Sequence, residues 1–514
     1  MGLANFGTRA LLGMDAPPVS VEVHSSNGLP ALTIVGLPET SVKESKDRVR
    51  SALLSSGFQL PPKRITVNLA PADLPKTGGR YDLAIALAIL VATEQVQVET
   101  IENYEVYAEL ALNGDLRPVN GVLSSLIATI NAGKKAIVSS ENVAEVSLLL
   151  QTKPEMADSI LLAQNLKQAY QLLSSDFTNT HIGSAAELIK EDKSFTYAQD
   201  FSDVIGQAQA KRALEISASG YHSMLMVGPP GSGKSMLASR LVTILPPLGG
   251  NEAIELAQIR SLTGKAANVD SFYQRPFIHP HHTASAAAIV GGGTNPKPGA
   301  LSLAHRGVLF LDELPEFNRN VLEALREPLE TKQVNISRVN QHVNFPANNL
   351  LIAAMNPSPS GYFADDPLGR CKDTPDQILR YQKKISGPLI DRIDLHIEVP
   401  AVEVKDLRRH DLGHEEQSEI IRNRVVLSHG RQFERQGCLN SELTNDLLKQ
   451  VCSLDAMGEQ LIDKAVQDLG LSVRGYHRVL KVARTIADIE ASRDIKASHL
   501  AEALGYRVVS KAFN

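Results

Sequence analysis

The chain has 514 residues, 43% of them apolar and 21% charged, with a formal net charge of −5. That length suits about three domains, and the composition excludes a disordered chain. The mild acidity excludes a protein coated in basic surface, so any nucleic-acid contact has to come from a local patch, multiplied by symmetry. Cys371, Cys438 and Cys452 are odd in number and scattered, as in a reducing compartment rather than a disulfide framework. No secretory apolar segment opens the sequence, and the longest apolar run, Leu83 to Ala92, is too short to span a bilayer. The expectation is a soluble, cytoplasmic protein.

Residues 1–170 alternate strand-like and helix-like stretches. Val19 to Val23, Leu32 to Val35, Ile65 to Leu69, Tyr104 to Leu112 and Lys135 to Val138 read as strands. Glu39 to Ser56, Tyr81 to Thr93 and Val122 to Ala132 read as helices, the first stopped by Gly57 and the last by Gly133. This predicts an α/β domain without a phosphate loop of its own. Polar residues dominate from Ser174 to Asp200, which marks residues 171–200 as a linker. Residues 201–403 alternate strands and helices as a doubly wound parallel sheet does. Beyond Val404 the strand signal vanishes, and five helices are predicted over Glu415–Arg435, Ser441–Cys452, Asp455–Gly470, Val473–Ala491 and Ala497–Tyr506. Residues 404–514 therefore form a helical domain.

The second domain carries the chemistry. Met224 to Val227 reads as a short buried strand, and Met236 to Val242 as a helix. Between them stand Gly228, Pro229, Pro230, Gly231, Ser232, Gly233, Lys234 and Ser235, the G-x-x-x-x-G-K-[ST] pattern in the context that makes it specific. Glycines let the backbone curl until successive N–H groups face a polyphosphate, beside a helix N-terminus that favours anions. Lys234 brings a point charge to the phosphates, and Ser235 a hydroxyl to Mg²⁺. Phe201-Ser-Asp-Val-Ile205-Gly206-Gln207 leads into the preceding helix, and Ile205 and Gly206 join the nucleotide-site residues.

Gly307 to Leu311 is an apolar strand ending in Asp312 and Glu313. Asp312 is placed to share the Mg²⁺ shell with Ser235, and Glu313 to orient or deprotonate the attacking water. Leu350 to Met355 is a further strand ending in Asn356, expected beside the γ-phosphate. Arg392 lies on a short turn before the strand Leu395 to Val399. It is either a surface partner of Asp391 or Asp394, or a cation supplied to a neighbouring subunit's site, where it would stabilise the spreading charge of phosphoryl transfer. Arg474 opens a helix of the last domain and could reach the γ-phosphate. A guanidinium fork suits both tasks.

These stretches, with Ser386-Gly-Pro-Leu-Ile-Asp-Arg-Ile-Asp394 and Arg474-Gly-Tyr-His-Arg478, resemble the magnesium-chelatase-like branch of AAA+ ATPases, and within it the ComM/YifB group of bacterial competence proteins. Val35-Gly-Leu-Pro-Glu39, Pro280-His-His-Thr-Ala-Ser285 and Leu301-Ser-Leu-Ala-His-Arg-Gly-Val308 extend the resemblance to nearly the whole chain. It implies a homo-hexameric ATPase using ATP and Mg²⁺ at subunit interfaces, with Arg392 as the trans arginine finger and Arg474 as sensor 2. It further implies helicase or branch-migration work on single-stranded or branched DNA during recombination of incoming DNA, alongside recombination proteins.

The first domain looks like the protease domain of Lon, a ribosomal S5-like fold, but departs from it at the chemistry. Lys76-Thr-Gly-Gly-Arg80-Tyr81 holds no serine where the nucleophile belongs, and Leu123 stands in place of the lysine base. Acyl-enzyme chemistry lacks both partners.

A polymer could be gripped at two inserts. The loop Gly291-Gly-Gly-Thr-Asn-Pro-Lys297-Pro-Gly299 is mildly basic, and Gln333 to Phe345, with Arg338, Asn340 and His342, reads as a β-hairpin. Six copies of Lys297 and Arg338 would make a cationic ring suited to backbone contacts; a solvated hairpin and an ordinary surface loop are the bland alternatives. His279, His281 and His282 crowd one turn without a Cys or carboxylate at ligand spacing, which argues against zinc. The group's usual C-x-C is reduced here to Cys371 alone. Two other motors compete with the DNA reading: a magnesium-chelatase-type machine remodelling a protein partner, and a protein unfoldase.

Overall fold

The computed structural model describes residues 2–36, 38–98, 100–173, 197–264, 271–293, 295–338, 341–401 and 415–507. Most of the expected 171–200 linker and the 403/404 boundary lie outside the described residues. The chain divides into two compact units, one of Met1–Phe195, Gly249–Tyr273 and Ser337–Phe345, the other of Thr196–Leu248, Gln274–Ile336 and Pro346–Asn514.

The first unit is built on a mixed seven-stranded sheet in the order Ala31–Val35, Arg64–Ala70, Pro18–Ser26, Gly2–Arg9, Tyr104–Tyr107, Lys135–Ser139 and Ile160–Ala163. Arg64–Ala70, Pro18–Ser26 and Gly2–Arg9 pair antiparallel in turn, whereas the other neighbours are parallel. Alternation along Pro18–Ser26 puts Val19, Val21 and Val23 inside, as a half-buried strand demands. Against the sheet lies the helix Asp82–Ala92, where every residue but Val91 is buried. Its first residue, Asp82, is an anion at a helix N-terminus, and Arg48 Nε donates to it at 2.6 Å. Burial pushes the Asp82 carboxyl above its usual range, against the pull of Arg48.

The second unit is organised by five parallel strands in the order Phe277–Ile278, Val308–Leu311, Leu350–Met355, Met224–Val227 and Leu395–Glu398. Three of them (Val308–Leu311, Leu350–Met355 and Met224–Val227) are buried end to end, which is why they read as continuous apolar runs rather than alternations. The C-terminal helices Ser418–Gln436, Asn445–Val451, Ala456–Leu469, Val473–Ile489 and Ala497–Gly505 do not build a core of their own. Val425, Leu448, Ile462, Leu480, Ile486 and Leu500 join Met226, Leu241, Phe310, Ile352 and Ile397 in one apolar cluster. All five sheet strands being parallel, their carboxyl ends share one edge, where ligands of open α/β sheets bind. Among the described residues no helix is long and apolar enough to cross a membrane.

Candidate nucleotide site

The phosphate-loop residues leave the central strand Met224–Val227 and enter the helix Lys234–Ile244. Gly231 and Gly233 take φ of 75° and 88°, a region costly to other residues. Apart from the adjoining residues, no heavy atom lies within 4 Å of where a Cβ would stand at either one. At Gly228 the constraint is different, because a Cβ there would meet Val399 O at 2.2 Å. Ile205 and Gly206 lie beside the loop: Gln207 Nε2 donates to Ser232 O at 3.4 Å and to Pro400 O at 2.7 Å. Gly206 N donates to Glu415 Oε1 at 2.9 Å.

Three strand ends converge on the loop. Ser235 Oγ donates to Asp312 Oδ2 at 2.7 Å. Lys234 Nζ donates to Gly228 O at 2.6 Å, Pro229 O at 2.9 Å and Asn356 Oδ1 at 3.3 Å. Burial lowers the pKa of the Lys234 ammonium, while the Asp312 and Glu313 charges work against that. Glu313 follows with a left-handed φ of 52°, its N–H donating to Asp312 Oδ1 at 2.9 Å. A cavity of about 460 Å³ opens beside Asn356, walled by Glu313, Glu316, Arg380, Tyr381 and Lys384. Burial, with help from Glu316 and Glu313, pushes the Tyr381 phenol up to about 12.

Arg392 and Arg474 are brought together by a carboxylate that sequence reasoning missed. Arg392 Nη2 lies 2.7 Å and Arg474 Nη2 3.5 Å from the same atom, Glu330 Oε1. Neither of the partners foreseen for Arg392 takes it. Asp391 is 3.5 Å from Ser472 Oγ, and Asp394 pairs with Arg478 and, at 3.4 Å, His222. Burial raises the Asp394 pKa, but Arg478, His222 and Arg507 together bring it well below the usual carboxylate range.

Lys297 is exposed, on a two-residue strand paired with Gly291–Gly292. Arg338 ends the strand Gln333–Arg338, and its side chain, like Thr294 and Asn340, lies outside the described residues. His342 is exposed, with Nδ1 3.0 Å from Ser337 Oγ. His279 packs on Phe310 at 4.8 Å between ring centroids, and among the described residues no group of three His, Cys, Asp or Glu side chains is placed to hold a metal ion. In the first unit, Arg80 Nη2 donates at 2.8 Å to Ser125 Oγ, two residues beyond Leu123. A guanidinium offers no acceptor for a hydroxyl proton.

Glu330, Arg380 and Lys384 were not anticipated. Only Arg380 carried a local signal, because Thr374-Pro-Asp-Gln377 is a helix-start pattern, and the structure shows the capping box and the helix Pro375–Gln382.

Residues 200–407 match the family model described as magnesium chelatase, subunit ChlI; residues 21–142 match that of subunit ChlI of Mg-chelatase, and residues 415–507 that of the ChlI C-terminal region. A protein designated uncharacterized protein YifB from Salmonella typhimurium is 48% identical, over 99% of this chain and 98% of its own. Competence protein ComM of Haemophilus influenzae is 47% identical over the same shares. The magnesium-chelatase 38 kDa subunit of Cereibacter sphaeroides is 23% identical over 58% of this chain and 88% of its own. A parallel sheet with three strand ends gathered at one phosphate loop, and likeness along the full length to two such relatives, lead to one classification: the chain belongs to the ComM/YifB family of magnesium-chelatase-like proteins.

Proposed function

We propose that this protein is an ATPase that works as a closed ring of subunits and couples hydrolysis to movement along DNA, as a helicase or branch-migration motor in recombination of incoming DNA. The observation that carries the ATPase reading is the 2.7 Å link between Ser235 and Asp312 beside the buried Lys234. The name of the Haemophilus relative supports the setting in competence.

Loop N–H groups from Gly231 to Ser235 hold the phosphates, and the Lys234 ammonium takes up their charge. A hydroxyl and a carboxylate oxygen at hydrogen-bond distance are the hard donors Mg²⁺ selects, so Ser235 and Asp312 fit that ion. When bound, Mg²⁺ neutralises charge on the phosphate oxygens. Glu313 accepts the proton of the attacking water, and Asn356 holds that water against the γ-phosphate. Arg392 and Arg474 share Glu330, so we assign both to the face a subunit offers to its neighbour's site. Lys297, Arg338 and His342 contact the polymer backbone.

ATPase rates measured with single-stranded, duplex and four-way-junction DNA test this reading. Severalfold stimulation by branched or single-stranded DNA is expected, and no stimulation by any of them refutes it. The runner-up is a magnesium-chelatase-type motor acting on a protein partner, favoured by the family match over residues 200–407; it predicts ATPase activity indifferent to DNA.

A further inference from the structure

We propose that the cavity beside Asn356 is a product site, in which Arg380 binds the inorganic phosphate released by hydrolysis and passes it to solvent. The inference rests on the ATPase reading.

The direction of the chemistry leads to this cavity. Water adds in line to the γ-phosphorus as the bond to the β–γ bridging oxygen breaks. The electron pair of that bond leaves with ADP, and the water proton passes to Glu313. An in-line displacement carries the phosphorus away from ADP, toward the side from which the water came. Glu313 and Asn356 stand on that side, and both line the cavity of about 460 Å³. Asn356 borders the phosphate loop as well, its Oδ1 lying 3.3 Å from Lys234 Nζ.

A phosphate entering the cavity meets two carboxylates, Glu313 and Glu316, and like charges oppose its passage. Arg380, on the helix Pro375–Gln382, and Lys384, just past its end, line the same cavity. Lys384 is already committed: its Nζ lies 3.1 Å from Glu316 Oε1, which neutralises that carboxylate. Arg380 is exposed, and among the described residues no ion pair or hydrogen bond engages its side chain. Its fork is therefore available to two phosphate oxygens at once. The helix is fixed to the catalytic end of the site, because Gln382 Nε2 donates at 3.2 Å to the carbonyl of Pro357, the residue after Asn356. Between the two cations, the Tyr381 phenol is pushed up to about 12, so it stays neutral and repels no anion. Arg380 and Lys384 are both exposed, so the cavity opens to solvent where the cations stand. Product release sets the turnover rate of many enzymes, which gives such a cation a task that the phosphate loop does not perform.

The experiment has two arms, both on the full chain. Equilibrium dialysis measures binding of radiolabelled inorganic phosphate with ADP and Mg²⁺ present. Single-turnover kinetics follow ATP cleavage by quenched flow and phosphate release by a fluorescent phosphate reporter. R380A is expected to weaken phosphate binding about tenfold and to lengthen the delay between cleavage and release by a similar factor. R380K keeps the charge and should retain most of the affinity, whereas E316Q removes a repelling charge and should bind phosphate severalfold tighter. Phosphate binding by R380A within about twofold of wild type overturns the site. Release by R380A that follows cleavage as promptly as in wild type overturns the exit role. A wild-type chain that cleaves no ATP is a failure of the ATPase reading itself and takes the exit role with it; the dialysis arm reads Arg380 without any turnover.

Discussion

Arg392 offers the sharpest test of a site completed across a subunit boundary. Its side chain is 8% exposed and held at 2.7 Å by Glu330, whose side chain is 44% exposed. At such exposure the Glu330 pair contributes about 1 kcal/mol or less. An arginine delivered to a transferring phosphoryl group is worth about 10³-fold to 10⁵-fold in rate, or roughly 4–7 kcal/mol. The phosphate therefore outcompetes Glu330 whenever a neighbour presents one. Arg392→Ala should cut kcat by about 10³-fold while nucleotide affinity stays within about twofold of wild type. Stability should fall by about 1–3 kcal/mol, because a side chain only 8% exposed loses both Glu330 and its hydrogen bond to Pro388 O at 2.7 Å, while Glu330 keeps Arg474. Mixing equal amounts of Arg392→Ala and Lys234→Ala proteins then separates trans from cis. In a randomly mixed ring an active site needs an intact phosphate loop in one subunit, about one chance in two, and an intact Arg392 in the next, also about one in two. About a quarter of wild-type turnover should return. A mixture as dead as its components would refute the trans assignment and make Arg392 a structural residue.

Glu313→Gln should bind ATP with near wild-type affinity yet lose about 10²-fold to 10⁴-fold in hydrolysis, measured by single-turnover kinetics. Lys234→Ala should weaken nucleotide binding by about 10²-fold or more in a fluorescent-nucleotide titration, because a charge-assisted contact worth about 1.5–3 kcal/mol per bond is lost. Asp394→Asn should destabilise the second unit by about 3 kcal/mol at pH 7, since Arg478 and His222 lose a buried anion. The sign of its pH dependence follows from a folded pKa well below 3.8. That contribution is complete above the unfolded value of about 3.9 and fades as pH falls through the folded one. Thermal melts of the variant and wild type should therefore differ at pH 7 and converge in strong acid.

Elements with a dense apolar signal were legible in the sequence. The strand Met224–Val227 was foreseen with its observed bounds, and Leu350–Met355 with the Asn356 that closes it. The helix expected over Glu39–Ser56 is instead the short turn Thr40–Lys43 followed by Ser45–Ser55, and the strand expected over Tyr104–Leu112 is the two pieces Tyr104–Tyr107 and Glu109–Leu110. The strand Gly2–Arg9 was missed because its inward face is Ala4, Phe6 and Thr8, too small and polar to register, with glycines at both Gly2 and Gly7. The helix Gly250–Ser261 was missed too. It begins with Gly250 and Asn251, weak helix formers, and its buried side includes Ala253, Ala257 and Ser261. At the site, the phosphate loop and its carboxylates announce themselves because residue type and spacing are dictated by the phosphates. Glu330 does not, because an ion pair between distant segments leaves no local pattern.

Arg478 Nη1 donates to Arg392 O at 2.7 Å and also pairs with Asp394. One guanidinium thus clamps the turn bearing Arg392 onto the helix Val473–Ile489, which bears Arg474 at its start. Clamped in this way, the two cations cannot be withdrawn independently. Any tilt of that helix swings both at once, like two teeth cut on one gear.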